Sequence, residues 1–307
     1  MESVTLHRFE FRAMASAHEL LLAAPGRAHA EAAARTAIAD VERIEAKYSR
    51  YRDGSLVSAI NRGAGGPPVP IDVETAALLR YADACHRESG GRFDVTSGVL
   101  RRAWDFRRDP SRVPDVREIE ALLPLVDWHG VEWDDRAMRL PRAGMQIDLG
   151  GIGKEYAADR VAAIAIDAGI AHGFVNLAGD VRVWGGRPDG TPWRVGIRHP
   201  RLEGATIGGI EIADGAVATS GDYERYFEAG GRRYCHLLDA TTGWPVHGWQ
   251  SVTVAAPLCI VAGSGATVGM LLGDAAPAWL DAQGVEWLGV DAAGHIRKPA
   301  DPRTPSA

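Results

Sequence analysis

Asp148-Leu-Gly-Gly-Ile-Gly-Lys154 is the stretch of this sequence best suited to chemistry. It follows a strand-like run and opens a helix-like one. Glycines let the backbone approach a ligand, and a helix N-terminus offers free N–H groups and a dipole that favours phosphate. The stretch is not a P-loop, which would need Gly at Asp148 and Ser or Thr at Glu155. GxGxxG fails as well, because Tyr156 holds the third glycine position after Gly151 and Gly153. On spacing alone, a tight strand–helix turn with an exposed lysine explains the stretch equally well. The only lysines are Lys47, Lys154 and Lys298 in a chain that otherwise uses arginine, which hints at a compact ammonium contact at this turn.

Two other segments carry reactive side chains. Thr219-Ser-Gly-Asp222-Tyr223 joins two strand-like runs and reads as a polar hairpin turn. His236 lies in Tyr-Cys-His-Leu-Leu-Asp, a run with strand character, where a lone histidine is most often structural. A Ser220–His236–Asp239 triad is rejected. Ser220 lacks the G-x-S-x-G elbow, and His and Asp three apart on a strand point to opposite faces. Cys85, Cys235 and Cys259 are odd in number and lack CxxC spacing, so neither a zinc site nor a redox pair is expected.

The elements that must position these groups follow from periodicity. Strands are expected at 4–11 and 18–24, then a helix from about His29 with Ala37, Val41, Ile44 and Tyr48 inward. Residues 49–60 read as loop and short strand. A second helix starts at the N-cap Asp72 with Leu78, Leu79, Ala82 and Cys85 inward, and Gly90–Gly91 stops it. A third starts at Asp115, with Ile119, Leu122 and Leu123 inward. Short strands are expected at 131–133, 137–140 and 145–149. A long helix covers 154–168, with Ala158, Val161, Ile164 and Ala165 inward. Strands follow at 173–176, 181–184, 193–197, 207–212, 216–219, 223–228, 233–238 and 251–255, then a helix at 261–272 and a small αβ tail. Strands that neither alternate with helices nor form one run favour α+β over a doubly wound nucleotide fold.

Composition sets the outer bounds. A chain of 307 residues, 46% hydrophobic and 24% charged, can bury a sizeable core. Its formal net charge of -6 argues against a nucleic-acid binder. No run reaches bilayer-spanning length, and the N-terminus lacks a signal-peptide pattern, so a cytoplasmic protein without a membrane anchor is expected. Residues 1–297 read as one domain or as two interlocked subdomains, and 298–307 as a disordered tail.

Seven collinear blocks resemble one known family. They are YRDGSLVSAIN (51–61), GRFDVTSGV (91–99), DLGGIGKEY (148–156), GFVNLAGD (173–180), VATSGDY (217–223), YCHLLDATTGWP (234–245) and the run from Ser251 to Val254. The chain is similar, over roughly residues 14–275, to the ApbE family of FAD:protein FMN transferases, formerly called thiamine biosynthesis lipoproteins. The resemblance implies an α+β fold of mixed and antiparallel sheets with packed helices, T-fold-related, with FAD in a central cleft. It implies transfer of FMN from FAD to a threonine of an acceptor flavoprotein, with release of AMP and help from Mg²⁺. By position, Met14, Tyr51, Arg92, Phe93, Asp94, Asp148, Lys154 and Leu237 would contact FAD. Gly151, through its carbonyl, and Thr267, through its hydroxyl, would hold the metal, and His236 would move the proton.

One departure stands out. The family has a metal-binding aspartate four residues before the threonine, and here Gly263 takes that place. Mg²⁺ prefers hard oxygen ligands including a carboxylate. The alternatives are therefore an FAD-binding protein with little transferase activity, favoured by Gly263, and an FAD pyrophosphatase in which water replaces the threonine. Returning a carboxylate with Gly263→Asp, in what reads as the first turn of a helix, is expected to tighten Mg²⁺ binding without disturbing the fold.

Overall fold

The computed structural model describes residues 4–106 and 112–299. Its centre is an eight-stranded sheet in the order Thr5–Ala13, Ser16–Ala24, Gly173–Leu177, Asp180–Trp184, Gly215–Gly221, Trp249–Ala256, Glu286–Asp291, Ile296–Arg297. Every neighbouring pair is antiparallel. Smaller antiparallel pairings join Val69–Pro70, Ala137–Arg139 and Glu132–Trp133, then Trp193–Arg198 with Thr206–Ile212, and Tyr226–Ala229 with Arg232–Cys235. This is the expected α+β class.

The helices are α1 (Arg27–Tyr48), α2 (Leu56–Arg62), α3 (Val73–Glu88), α4 (Val116–Leu122), α5 (Gly153–Asp167), α6 (Cys259–Leu272) and α7 (Ala276–Ala282). α1 buries Ala30, Ala33, Ala34, Ala37, Val41, Ile44 and Tyr48, one stripe at spacings of three and four. α5 packs between α1 and α6 through Ala157, Ala158, Val161, Ala162 and Ala165. Those small side chains let the backbones come close, while Val161 contributes about 1.5–3 kcal/mol by leaving water. α6 lies on Gly215–Gly221 and Trp249–Ala256 with Ala262, Gly263, Ser264 and Ala266 buried. Leu20, Leu22, Val175 and Leu177 complete the main core from the sheet side.

Several expectations need correction. Residues 49–55 are loop as expected, but 56–60 are helix and not strand: Ser55 accepts the Ser58 N–H at 3.0 Å and so caps α2. Residues 145–149 form no strand, because side chains satisfy their backbone. Asn61 accepts the Ile147 N–H at 2.7 Å and donates to the Ile147 carbonyl at 3.0 Å, while the Asp148 N–H reaches Val95 O at 2.8 Å. Leu122, Leu123 and Ile164 are only partly buried, unlike Ile119. The helical run Cys259–Ala282 has a mean hydropathy of 1.4 over 18 residues, long and apolar enough by composition to span a bilayer. Two-thirds of that window is buried against the sheet, as expected of a core helix. Of the tail read as disordered, residues 300–307 lie outside the described residues.

Candidate active site

One end of the main sheet gathers the groups that the sequence singled out. The hairpin turn Met14–Ala15 joins the first two strands, with φ of 50° and 62°. A second two-residue turn, Ala178 (φ 54°) and Gly179 (φ 101°), leads into Asp180. The pairing His18↔Leu177 places both turns at the same sheet end. Left-handed backbone costs a non-glycine residue roughly 1–2 kcal/mol, so three such residues in two neighbouring turns mark a constrained end of the molecule. His18 Nε2 lies 2.8 Å from Ala13 O and steadies the first turn.

Asp148–Lys154 runs against this end. Asp148 accepts from Arg50 Nη1 at 3.1 Å and from the Gly150 N–H at 2.8 Å. Gly151 faces the Phe93 ring, which a Cβ would approach to 3.1 Å, so a side chain here would need the ring to give way. Lys154, in the first turn of α5, is not an exposed lysine. Its Nζ lies 2.6 Å from Asp180 Oδ2. Burial opposes its charge, but the Asp180 and Glu155 carboxylates outweigh burial and hold the ammonium protonated.

His236 follows the strand Arg232–Cys235 in a bend, and its Nδ1 is buried without a hydrogen-bond partner. Burial first, then the charges of Arg101, Arg225 and Lys154, push its pKa down to about 3. Arg101 in turn interacts with Asp148 and Tyr51. A neutral imidazole thus stands among cations beside the helix N-terminus, an arrangement suited to an anionic ligand and a proton acceptor. Tyr51 is 64% exposed at the edge of this cluster, with Arg50 stacked 5.9 Å from its ring centre. Leu237, next to His236, is partly buried, and its carbonyl accepts from the Val246 N–H at 3.0 Å.

Arg92 reaches the same polypeptide block by an ion pair with Asp239, which also accepts from Thr241. Asp94 has a different setting. Its oxygens accept from the Thr96 N–H and hydroxyl and from the Trp128 N–H, with His86 Nε2 at 3.5 Å. Its side chain ties the fold together and borders a cavity of about 460 Å³ with Gly91, His129 and Thr241. His236, Lys154 and Asp148 are not among the residues that line this cavity. Asp239 is engaged by Arg92, and Ser220 Oγ lies 2.8 Å from Thr267 Oγ1, so no Ser–His–Asp triad forms.

The metal question turns on α6. Thr267 lies one turn beyond Gly263, which stands in the second turn of the helix and not the first. A Cβ at 263 would overlap Glu155 Cγ and come within 3.1 Å of its Cδ, so Gly263→Asp would not be tolerated as expected. Glu155 Oε2 is buried and has no hydrogen-bond partner. Burial, then the neighbouring Asp180 carboxylate, raise the Glu155 pKa against the pull of Lys154. Among the described residues, no group of three or more His, Cys, Asp or Glu side chains is arranged to hold a metal. One carboxylate with an unsatisfied oxygen fits Mg²⁺, which takes one or two carboxylates and completes its shell with water and substrate phosphates.

The ApbE family profile matches residues 11–288. The chain belongs to the ApbE family. It is 32% identical over 238 residues to the FAD:protein FMN transferase of Vibrio cholerae, covering 76% of this chain and 71% of that one. The Treponema pallidum FAD:protein FMN transferase is 32% identical over 252 residues, covering 76% and 69%. The crystal structure of the ApbE protein from Thermotoga maritima superposes with a TM-score of 0.88 at 33% identity, covering 96% of this chain and 97% of that one. The Pseudomonas stutzeri flavinyl transferase ApbE in its apo form gives 0.85 at 28%, covering 96% and 95%. Three residues of this ApbE site escaped the sequence reading. Asp180 closes a quoted block but carried no motif of its own. Arg101 is one of an Arg-Arg pair that reads as surface. Glu155 counted only as a failed P-loop position, although an acidic residue on the inward face of a buried helix was a signal in itself.

Proposed function

We propose that this ApbE-family chain transfers FMN from FAD to a threonine hydroxyl of an acceptor flavoprotein and releases AMP. The observation that carries the reading is the partly buried His236, its Nδ1 enclosed without a partner, set among the charges of Arg101, Arg225 and Lys154. Pyrophosphate cleavage needs cations around the splitting group and a base for the incoming hydroxyl. In this reading the FAD pyrophosphate lies at the N-terminus of α5, where Lys154, Arg101 and free N–H groups neutralise it. His236 takes the threonine proton as the threonine oxygen bonds to the phosphorus on the FMN side. The bond from that phosphorus to the bridging oxygen breaks, and the oxygen leaves on AMP. Bound anion offsets the surrounding cations and so raises the basicity of His236 when it is needed. Mg²⁺, when bound, neutralises charge on the leaving phosphate. Glu155 and the Thr267 hydroxyl, with the Gly151 carbonyl, are the oxygen donors assigned to it.

Tyr51, Arg92, Phe93 and Met14 are assigned to the rest of FAD, with Asp148 holding the turn that faces it. The flavoprotein acceptor and a cytoplasmic location belong to the same proposal. Incubation with FAD, Mg²⁺ and an acceptor domain, followed by denaturing electrophoresis, should leave fluorescent flavin on the acceptor. AMP and FMN released in equal amounts with a dark acceptor would instead favour the pyrophosphatase reading.

A further inference from the structure

Gly263 has no room for a side chain because another residue already fills the space. A Cβ there would overlap Glu155 Cγ and lie 3.1 Å from Cδ and 3.2 Å from Oε1. Glu155 projects from the first turn of α5 onto the second turn of α6, and its carboxylate occupies the volume that an aspartate at 263 would use. The residue is 7% exposed, and Oε2 finds no donor in the protein. Lys154, the nearest cation by sequence, is engaged with Asp180 at 2.6 Å. Asp159, the next carboxylate along α5, accepts the Cys259 and Ile260 N–H groups at 2.8 and 2.9 Å and so caps α6. The Cys259 thiol is fully buried and held in its neutral form. Asp180 Oδ2 likewise lacks a hydrogen-bond partner but faces the Lys154 ammonium, so among the described residues Glu155 is the carboxylate of this cluster whose free oxygen pairs with no cation. Leaving such an oxygen dry is unfavourable, and an arriving cation would offset that cost.

We propose that Glu155 is the carboxylate ligand of the divalent cation in this chain, reaching across from α5 to fill the place left by Gly263. The inference rests on the metal-assisted transferase reading for the cation itself. It accounts for two features together: a glycine on the helix face that also presents Thr267, and a buried acid aimed at that glycine. The competing account is a purely structural one, in which Glu155 and Asp180 share a proton and no cation enters.

The test is Mn²⁺ binding to the FAD-loaded full chain, followed by the loss of the free-ion electron paramagnetic resonance signal. Wild type should bind Mn²⁺. Glu155→Gln keeps the volume, and should weaken Mn²⁺ binding by about 10–100-fold, at least the loss seen when outer partners of a metal are removed. FAD affinity measured without metal should stay unchanged. Glu155→Ala/Gly263→Asp moves the carboxylate to α6 within the same space, and should recover most of the Mn²⁺ affinity. Wild-type Mn²⁺ affinity in folded Glu155→Gln overturns the proposal. Absence of Mn²⁺ binding by wild type overturns it together with the metal-assisted reading, whereas transfer without metal dependence overturns that reading alone.

Discussion

In the proposed reaction, two side chains separate holding FAD from transforming it. Lys154 and Asp180 form a pair with the carboxylate almost wholly buried. Lys154→Ala should therefore lower stability by about 3–5 kcal/mol, the cost of leaving a buried charge unpaired. Lys154→Ala/Asp180→Asn should regain most of that stability in a denaturant titration, yet still bind FAD more weakly than wild type by calorimetry. Full recovery of FAD affinity in the double variant would confine Lys154 to a structural role. His236 differs, because its imidazole is neutral and lacks a partner for Nδ1. His236→Ala should keep FAD affinity and lose transfer by about 10²–10⁴-fold, the range of a general base. At this scale the sequence marked the 148–154 turn by its glycines and its lone lysine, but not the contacts of Gly151 with Phe93 or of Lys154 with Asp180, which lie far apart in the chain. It was silent on Glu155 and Gly263, because their contact joins two helices far apart in the chain.

Elements position the site through bonds that are not local. α6 begins without a side-chain cap of its own, and Asp159 from α5 supplies two acceptors to its first N–H groups. Asp159→Ala should cost about 1–2 kcal/mol, as for loss of a helix cap. The fall in unfolding midpoint should be matched by faster amide exchange at Cys259 and Ile260. Unchanged exchange there would show that α6 holds its own start. α1 was legible from its stripe and α3 from its stripe and its Asp72 cap, because period and capping are encoded locally. Residues 145–149 were misread for the opposite reason. Their β-like composition is genuine, but Asn61 from α2 takes the hydrogen bonds that a strand partner would make. The antiparallel order of the sheet could not be read from spacing, since it depends on crossovers that carry helices between strands.

Across the whole molecule, the charge network sets how the protein meets acid. Glu74 on α3 joins Arg43 and Lys47 of α1 and the Tyr156 hydroxyl of α5 at 2.6–2.8 Å. Its Arg43 bond, then Lys47 and Tyr156, hold its pKa well below 4.5 despite burial. Asp72 is brought from 3.8 to about 2, burial being outweighed by Lys47 and Thr75. Depressed carboxylates stabilise the fold above their unfolded pKa, and that contribution is lost as pH falls from about 4.5 through 2. His236 adds an earlier loss. The unfolded chain takes a proton near 6.5 and the folded one only near 3, so stability also declines between those values. Denaturant midpoints should fall in two steps below pH 6.5, with Glu74→Gln flattening the lower step and His236→Ala the upper. A midpoint independent of pH from 7 to 3 would mean that neither group is perturbed.

The central claim is that this site moves FMN onto a protein hydroxyl instead of cleaving FAD with water. Intact-mass spectrometry of a flavoprotein acceptor after incubation with FAD, Mg²⁺ and the full chain tests it most directly. One FMN should be added per acceptor, located by fragmentation on a threonine, AMP should form in equal amount, and an acceptor with valine at that threonine should gain nothing. An acceptor of unchanged mass, while FAD is consumed or remains intact, would contradict it.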